Sequence, residues 1–132
     1  MAKPRLFTPV EANRTLPLVR RIVEDILVAG RRAKALHAEH GNRATTVPDF
    51  QRQLAEMEEL MKELEGIGCS FKDYNFEIGL VDFPAVIDGQ DVLLCWRSDE
   101  PEVRFYHGIT AGYAGRRPIP DHLLHPAPSA SA

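Results

Sequence analysis

The chain has 132 residues, enough for one modest hydrophobic core and too few for two. With 44% hydrophobic and 27% charged residues it is an ordinary globular sequence, neither fibrous nor disordered. The formal net charge of −3 argues against nucleic acid as a partner, because a surface that neutralises many phosphates needs a clear excess of Lys and Arg.

The two cysteines, Cys69 and Cys95, have no CxxC spacing and are too few for a disulfide scaffold, which fits a reducing compartment. No apolar run follows the N-terminus at signal-peptide length, and none approaches the ~20 residues of a membrane span. A cytoplasmic protein without a membrane partner is the expectation.

In chain order, Thr8-Pro9-Val10-Glu11 reads as a helix start, with Thr8 as cap, Pro9 in the first turn and Glu11 closing a capping box. Pro17 should end that first helix early, since it removes a hydrogen bond and crowds the preceding turn. Thr15 then caps a second, long helix that runs to about His40 and stops at Gly41-Asn42. Its apolar stripe is Val19, Ile22, Val23, Ile26, Ala29, Ala33 and Leu36. A further helix starts near Pro48, carries Phe50, Leu54, Met57, Leu60, Met61 and Leu64, and ends at Gly66. Facing stripes imply an antiparallel helical hairpin over 9–66. Such a hairpin leaves a seam for the sheet or a second copy to cover, so a homodimer is expected.

From Gly79 the hydrophobic period becomes two. Segments 80–87, 92–97 and 102–109 read as a three-stranded antiparallel meander with turns at 88–91 and 98–101. Alternation sends Val81, Phe83, Ala85, Ile87, Val92, Leu94, Trp96, Val103, Phe105 and His107 to the helices. It leaves Asp82, Cys95, Arg97, Glu102, Arg104 and Tyr106 on a polar face, with Cys95 opposite Arg104 and Arg97 opposite Glu102. A Gly-rich segment, 108–115, and Arg116-Arg117-Pro118 follow. The fold expected is α+β, one domain over 1–120 with the sheet and Gly/Arg loop at 79–118, and a disordered tail at 121–132.

The polar face is the main candidate site. Asp82, Cys95 and Glu102, with His107 if it crosses the strand end, offer oxygen, sulfur and nitrogen donors for a divalent metal. Arg97, Arg104, Arg116 and Arg117 could hold an anionic ligand. The same residues also suit cross-strand ion pairs worth ~0.2–1 kcal/mol each. A Cys95–His107 nucleophile–base pair conflicts with the alternation, which places the two on opposite faces. His37 and His40 fall in a last helical turn, where they favour the dipole, and His122 and His125 fall in the tail.

Several blocks together, Phe7-Thr8, Glu11-Ala12-Asn13, Leu16-Pro17, Gly79-Leu80-Val81-Asp82-Phe83-Pro84, Leu94-Cys95-Trp96-Arg97, Glu100, Tyr106-His107 and 112–118, carry a resemblance. The chain resembles an uncharacterised prokaryotic family, domain of unknown function 2203. The resemblance implies no activity; it marks Asp82, Cys95, Trp96, Arg97, His107 and Arg116 as motif positions. The leading functional expectation is a dimeric module that presents the polar sheet face and Gly/Arg loop to a ligand or protein partner. The alternatives are a metal-binding protein or metalloenzyme using Asp82, Cys95, Glu102 and His107, and an enzyme acting on a small anionic substrate.

Overall fold

A capped helix opens the fold. The computed structural model describes residues 5–126. Thr8 and Glu11 form the expected capping box at the start of α1, Pro9–His40. Contrary to expectation, α1 passes through Pro17 as one helix of 32 residues, with no second start at Thr15. The Thr15 hydroxyl instead donates back to the Glu11 carbonyl at 2.9 Å. Ala12 and Leu16 before the proline and Val19 after it are all buried in the same core. Burying such side chains gives roughly 1.5–3 kcal/mol each for the larger ones, which outweighs about 3 kcal/mol for an interior proline.

A 3-10 helix, Gly41–Thr46, joins α1 to α2, Pro48–Ile67. The cap of α2 is Gly68, left-handed at φ 113°, two residues later than the expected Gly66. Ala29, Ala33 and Leu36 of α1 pack with Phe50 and Met57 of α2, and Ile22 and Ile26 share the main core with Leu60 and Leu64.

The α+β class holds, but the sheet has five antiparallel strands rather than three. They are β1 Ser70–Phe71, β2 Leu80–Ile87, β3 Gln90–Arg97, β4 Phe105–Gly108 and β5 Arg117–Pro118, in that spatial order. The two short edge strands escape a periodicity test because two residues hold no period. Asp88 and Gly89, at φ 52° and 76°, make a two-residue turn between Ile87 and its partner Gln90, as the right-handed twist of a hairpin favours.

The register of β4 departs from expectation by one residue. Cys95 pairs with Phe105, not Arg104, and Leu93 pairs with His107. A one-residue slip exchanges the faces of a whole strand. Phe105 and His107 therefore lie on the face of Asp82 and Cys95, and Tyr106 packs toward the core. The cause lies in residues 98–104. Glu100 N–H donates to the Arg97 carbonyl and its carboxylate accepts from Arg97 N–H, while Trp96 Nε1 donates to its carbonyl. Val103 is fully buried outside the sheet, with its N–H donating to Asn13 Oδ1 of α1 at 2.7 Å. The strand restarts only after this hook, an odd number of residues between partners.

The core lies between α1, α2 and one sheet face, where Val81, Phe83, Leu94, Trp96 and Val103 are completely buried. A helical turn, α3 Asp121–Leu124, follows β5, and Leu123 and Leu124 rest against this core. The remainder of the expected tail, 127–132, lies outside the described residues.

Because Pro17 sits exposed in the middle of a continuous helix, Pro17→Ala should restore a donor for the Asn13 carbonyl. A gain of about 1–3 kcal/mol is expected in urea denaturation. An unchanged or lower midpoint would show that the proline is accommodated without strain.

Candidate metal centre

Adjacent strands deliver three chemically different side chains to one point. Asp82 of β2 is the direct cross-strand partner of Cys95 of β3, and His107 of β4 is diagonal to Cys95 on the same face. A carboxylate oxygen, the thiol sulfur and a ring nitrogen all lie within 4.8 Å of one another. The three residues are 5%, 2% and 4% exposed. The expectation that Cys95 and His107 sit on opposite faces is thus overturned by the β4 register.

His107 is oriented from behind. Its Nδ1 lies 2.8 Å from the Gly108 carbonyl, which can only accept, so Nδ1 carries the hydrogen. Nε2 then points at Asp82 Oδ1, 3.3 Å away. Two lone-pair atoms face each other there unless a proton or a cation lies between them. Burial pushes the Cys95 thiol up to about 12, and the negative charge of Asp82 adds to the shift. A thiol so protonated is a poor nucleophile. The geometry alone therefore does not make a cysteine–histidine catalytic pair.

The cluster opens into a pocket of about 360 Å³. Its walls come from Leu80, Leu93, Ile109 and Tyr113, with Lys72 also lining it. Lys72 escapes sequence reasoning because it belongs to no motif, and Tyr113, though inside the Gly-rich segment, carries no local signal that its ring meets the cluster. Only the tertiary path of 72–78 and of the Gly-rich segment brings them here.

Glu102 does not join the cluster. It pairs with Arg104 and lines a different cavity, with Asn13, Leu16 and Arg20. The other arginines of the expected anion clamp are also engaged within the chain. Arg97, expected opposite Glu102, instead forms a two-pronged pair with Asp99 at 2.6 and 2.9 Å and donates to the Tyr113 hydroxyl. Arg116 donates to Glu100 Oε1 at 2.6 Å and to the Cys95 carbonyl at 3.1 Å, between the rings of Phe105 and Tyr113. Arg117 stacks on Tyr106. These side chains fasten the 98–104 and 108–117 segments to the sheet rather than converging on one point. His37 and His40 occupy the last turn of α1, and among the described residues no metal-ligand group includes them, His122 or His125.

Fold and cluster together define a small α+β protein with a buried Asp–Cys–His centre beneath a Gly-rich segment. The model of a family described as an uncharacterized conserved protein, DUF2203, matches residues 5–119, and the chain belongs to that family. No curated protein and no solved structure matches it. Among the described residues, no helix is long and apolar enough to cross a membrane.

Two outcomes follow from this geometry. Removing one partner of the Arg116–Glu100 pair, whose side chains are only 12% and 15% exposed, should be costly. Arg116→Ala is expected to lose about 3 kcal/mol in chemical denaturation, whereas a free ligand clamp would lose almost nothing. The second concerns pH. Cys69 and Cys95 are both raised by burial from 9.0 to about 12, so the folded state holds these protons more tightly than the unfolded one. Their contribution to stability is complete below pH 9.0 and is lost as pH rises toward about 12. Unfolding midpoints of metal-free protein, measured upward from neutrality with chelator present, should fall in that window, and less steeply in Cys95→Ala. Identical alkaline slopes would contradict the assignment for Cys95.

Proposed function

We propose that the protein is a metal-binding protein in which Asp82, Cys95 and His107 hold one divalent cation, with a further coordination position facing the pocket. The observation that carries this reading is the convergence of oxygen, sulfur and nitrogen donors within 4.8 Å at nearly complete burial. Zinc fits such a mixed set, and three protein ligands with an open position are the usual arrangement of a reactive zinc site. The hydrogen bond from His107 Nδ1 to the Gly108 carbonyl leaves Nε2 as the donor and fixes the ring plane, as ligating histidines commonly require. A cation would also compensate a buried carboxylate and draw the proton from the Cys95 thiol. In that open position a bound water would become acidic enough to serve as a nucleophile near neutrality.

The bland alternative is a buried Asp82–His107 hydrogen bond beside an inert thiol, serving stability alone. The dimeric interaction module draws less support. The facing helical stripes, Phe50 and Met57 included, are buried within the chain, and the large apolar helix residues left exposed are Leu18, Val28 and Leu54.

Untagged protein prepared without chelator should carry, or take up on titration, one zinc per chain. Asp82→Ala, Cys95→Ala and His107→Ala should each weaken zinc at least on the order of 100-fold, the upper end of what outer-shell changes cost. Glu102→Ala should leave affinity unchanged. Saturating zinc at a hundredfold over Kd should add about 2.7 kcal/mol to unfolding. Wild-type protein that binds no zinc by calorimetry and by elemental analysis would sink the proposal, and so would a folded Cys95→Ala variant that binds equally well.

A further inference from the structure

The cavity over the cluster is a small, asymmetric chamber. Its volume of about 360 Å³ is near the lower end for small-molecule sites. Leu80, Leu93, Ile109 and Tyr113 give it hydrocarbon and ring walls, and the polar groups of the cluster lie at one side. The Tyr113 ring adds to these walls, and its hydroxyl, which accepts from Arg97, keeps its own hydrogen to donate. One strong cation, Lys72, lines the chamber. Its backbone N–H donates to the Leu80 carbonyl at 2.8 Å, which ties its Cα to the sheet edge while the side chain stays exposed. Among the described residues Lys72 takes part in no ion pair, unlike Arg97, Arg104 and Arg116.

Charge counting narrows the ligand. A divalent cation on Asp82 carboxylate and Cys95 thiolate, with a neutral His107, forms a centre with no net charge. Lys72 is then the one charge left at the chamber, and a single negative charge on the ligand would balance it. A dianion would leave an excess negative charge against apolar walls, which is unfavourable.

We propose that the chamber takes a small monocarboxylate with a compact apolar body, its carboxylate bound between the metal's open position and Lys72 and its body against Leu93, Ile109 and Tyr113. This inference rests on the metal reading above. It further assigns Lys72 as a ligand-binding residue and Ile109, 57% exposed, as part of the chamber's mouth.

The test uses the full chain loaded with cobalt(II), whose visible bands report its ligands, in a buffer free of carboxylates. A thiolate-to-cobalt absorption that vanishes in Cys95→Ser establishes the metal at the cluster. Titration with benzoate should then move the visible bands saturably, and at concentrations at least tenfold lower than acetate, which lacks the apolar body. Benzamide should be silent. Neutral replacements at these exposed positions, Lys72→Gln and Ile109→Ser, should each weaken benzoate at least tenfold without changing cobalt affinity. If cobalt binds but benzoate leaves the bands unmoved, or acetate and phosphate do as well as benzoate, the chamber assignment is wrong and the metal centre stands. If benzoate binds equally to Lys72→Gln, the role of Lys72 is wrong. If no thiolate–cobalt absorption develops, the metal centre and this inference fall together.

Discussion

The hook that Val103 makes into α1 determines what the sheet can present. Val103 has no exposed surface, and its N–H and carbonyl both bond the side chain of Asn13, which also reaches the Pro9 carbonyl. One helical amide thus fixes a residue that is in the core but not in the sheet. Glu100 closes the other half of the segment by accepting from Arg97 N–H and pairing with Arg116. Held at both points, the segment has one way to re-enter the sheet, with Cys95 opposite Phe105. Every side chain of β4 follows from that register. His107 arrives beside Asp82, Tyr106 turns to the core, and Phe105 becomes a platform for the Arg116 guanidinium.

The same segment explains why α1 is not broken by its proline. Asn13 is the residue whose carbonyl loses a partner to Pro17, and its side chain is the one that grips Val103. Arg20, one turn beyond, donates to the carbonyls of Glu100 and Pro101 and stacks over Trp96. The helix is therefore bound to the sheet's connecting segment on both sides of the proline. Tertiary contacts overrule a strong local preference here, as packing commonly does when a whole apolar stripe is at stake.

Much of this was legible from residue pattern. The cap at Thr8, the core stripe of α1, that of α2 apart from the exposed Leu54, and the strand at 80–87 follow from local rules that need only a few neighbouring residues. The pairing of Asp82 with Cys95 was also accessible, since a two-residue turn and strict alternation leave no freedom between β2 and β3. What could not be read was parity across 98–104. An apolar residue such as Val103 satisfies the alternation of an extended strand as well as it satisfies a separate anchor. The distinction lies in Asn13, ninety positions away in sequence by the bond it makes. Three polar residues, Asn13, Arg14 and Thr15, lie between the buried Ala12 and Leu16, and no local rule marks which of them must be bonded. Periodicity has no means of saying to what.

The arginines and the cluster show opposite electrostatic strategies on one sheet face. Arg97, Arg104 and Arg116 each have a carboxylate partner close in sequence or space, so their charges are neutralised locally and tighten two irregular segments. Exposed pairs of this kind add little, and the partly buried Arg116–Glu100 pair matters chiefly because breaking it strands a charge. Asp82 has no guanidinium or ammonium partner among the described residues; at nearly complete burial it faces a thiol and an imidazole. A face able to pair its acids with arginine has not done so at the one position where the acid is deepest. Stability alone would favour an apolar side chain at Asp82, since a buried carboxylate brings a desolvation cost that one 3.3 Å contact with His107 returns only in part. A hard oxygen, a soft sulfur and a borderline nitrogen donor held by three adjacent strands form a rigid set whose spacing needs little reorganisation to accept a cation, and that economy is the strongest physical reason to read the cluster as a binding site.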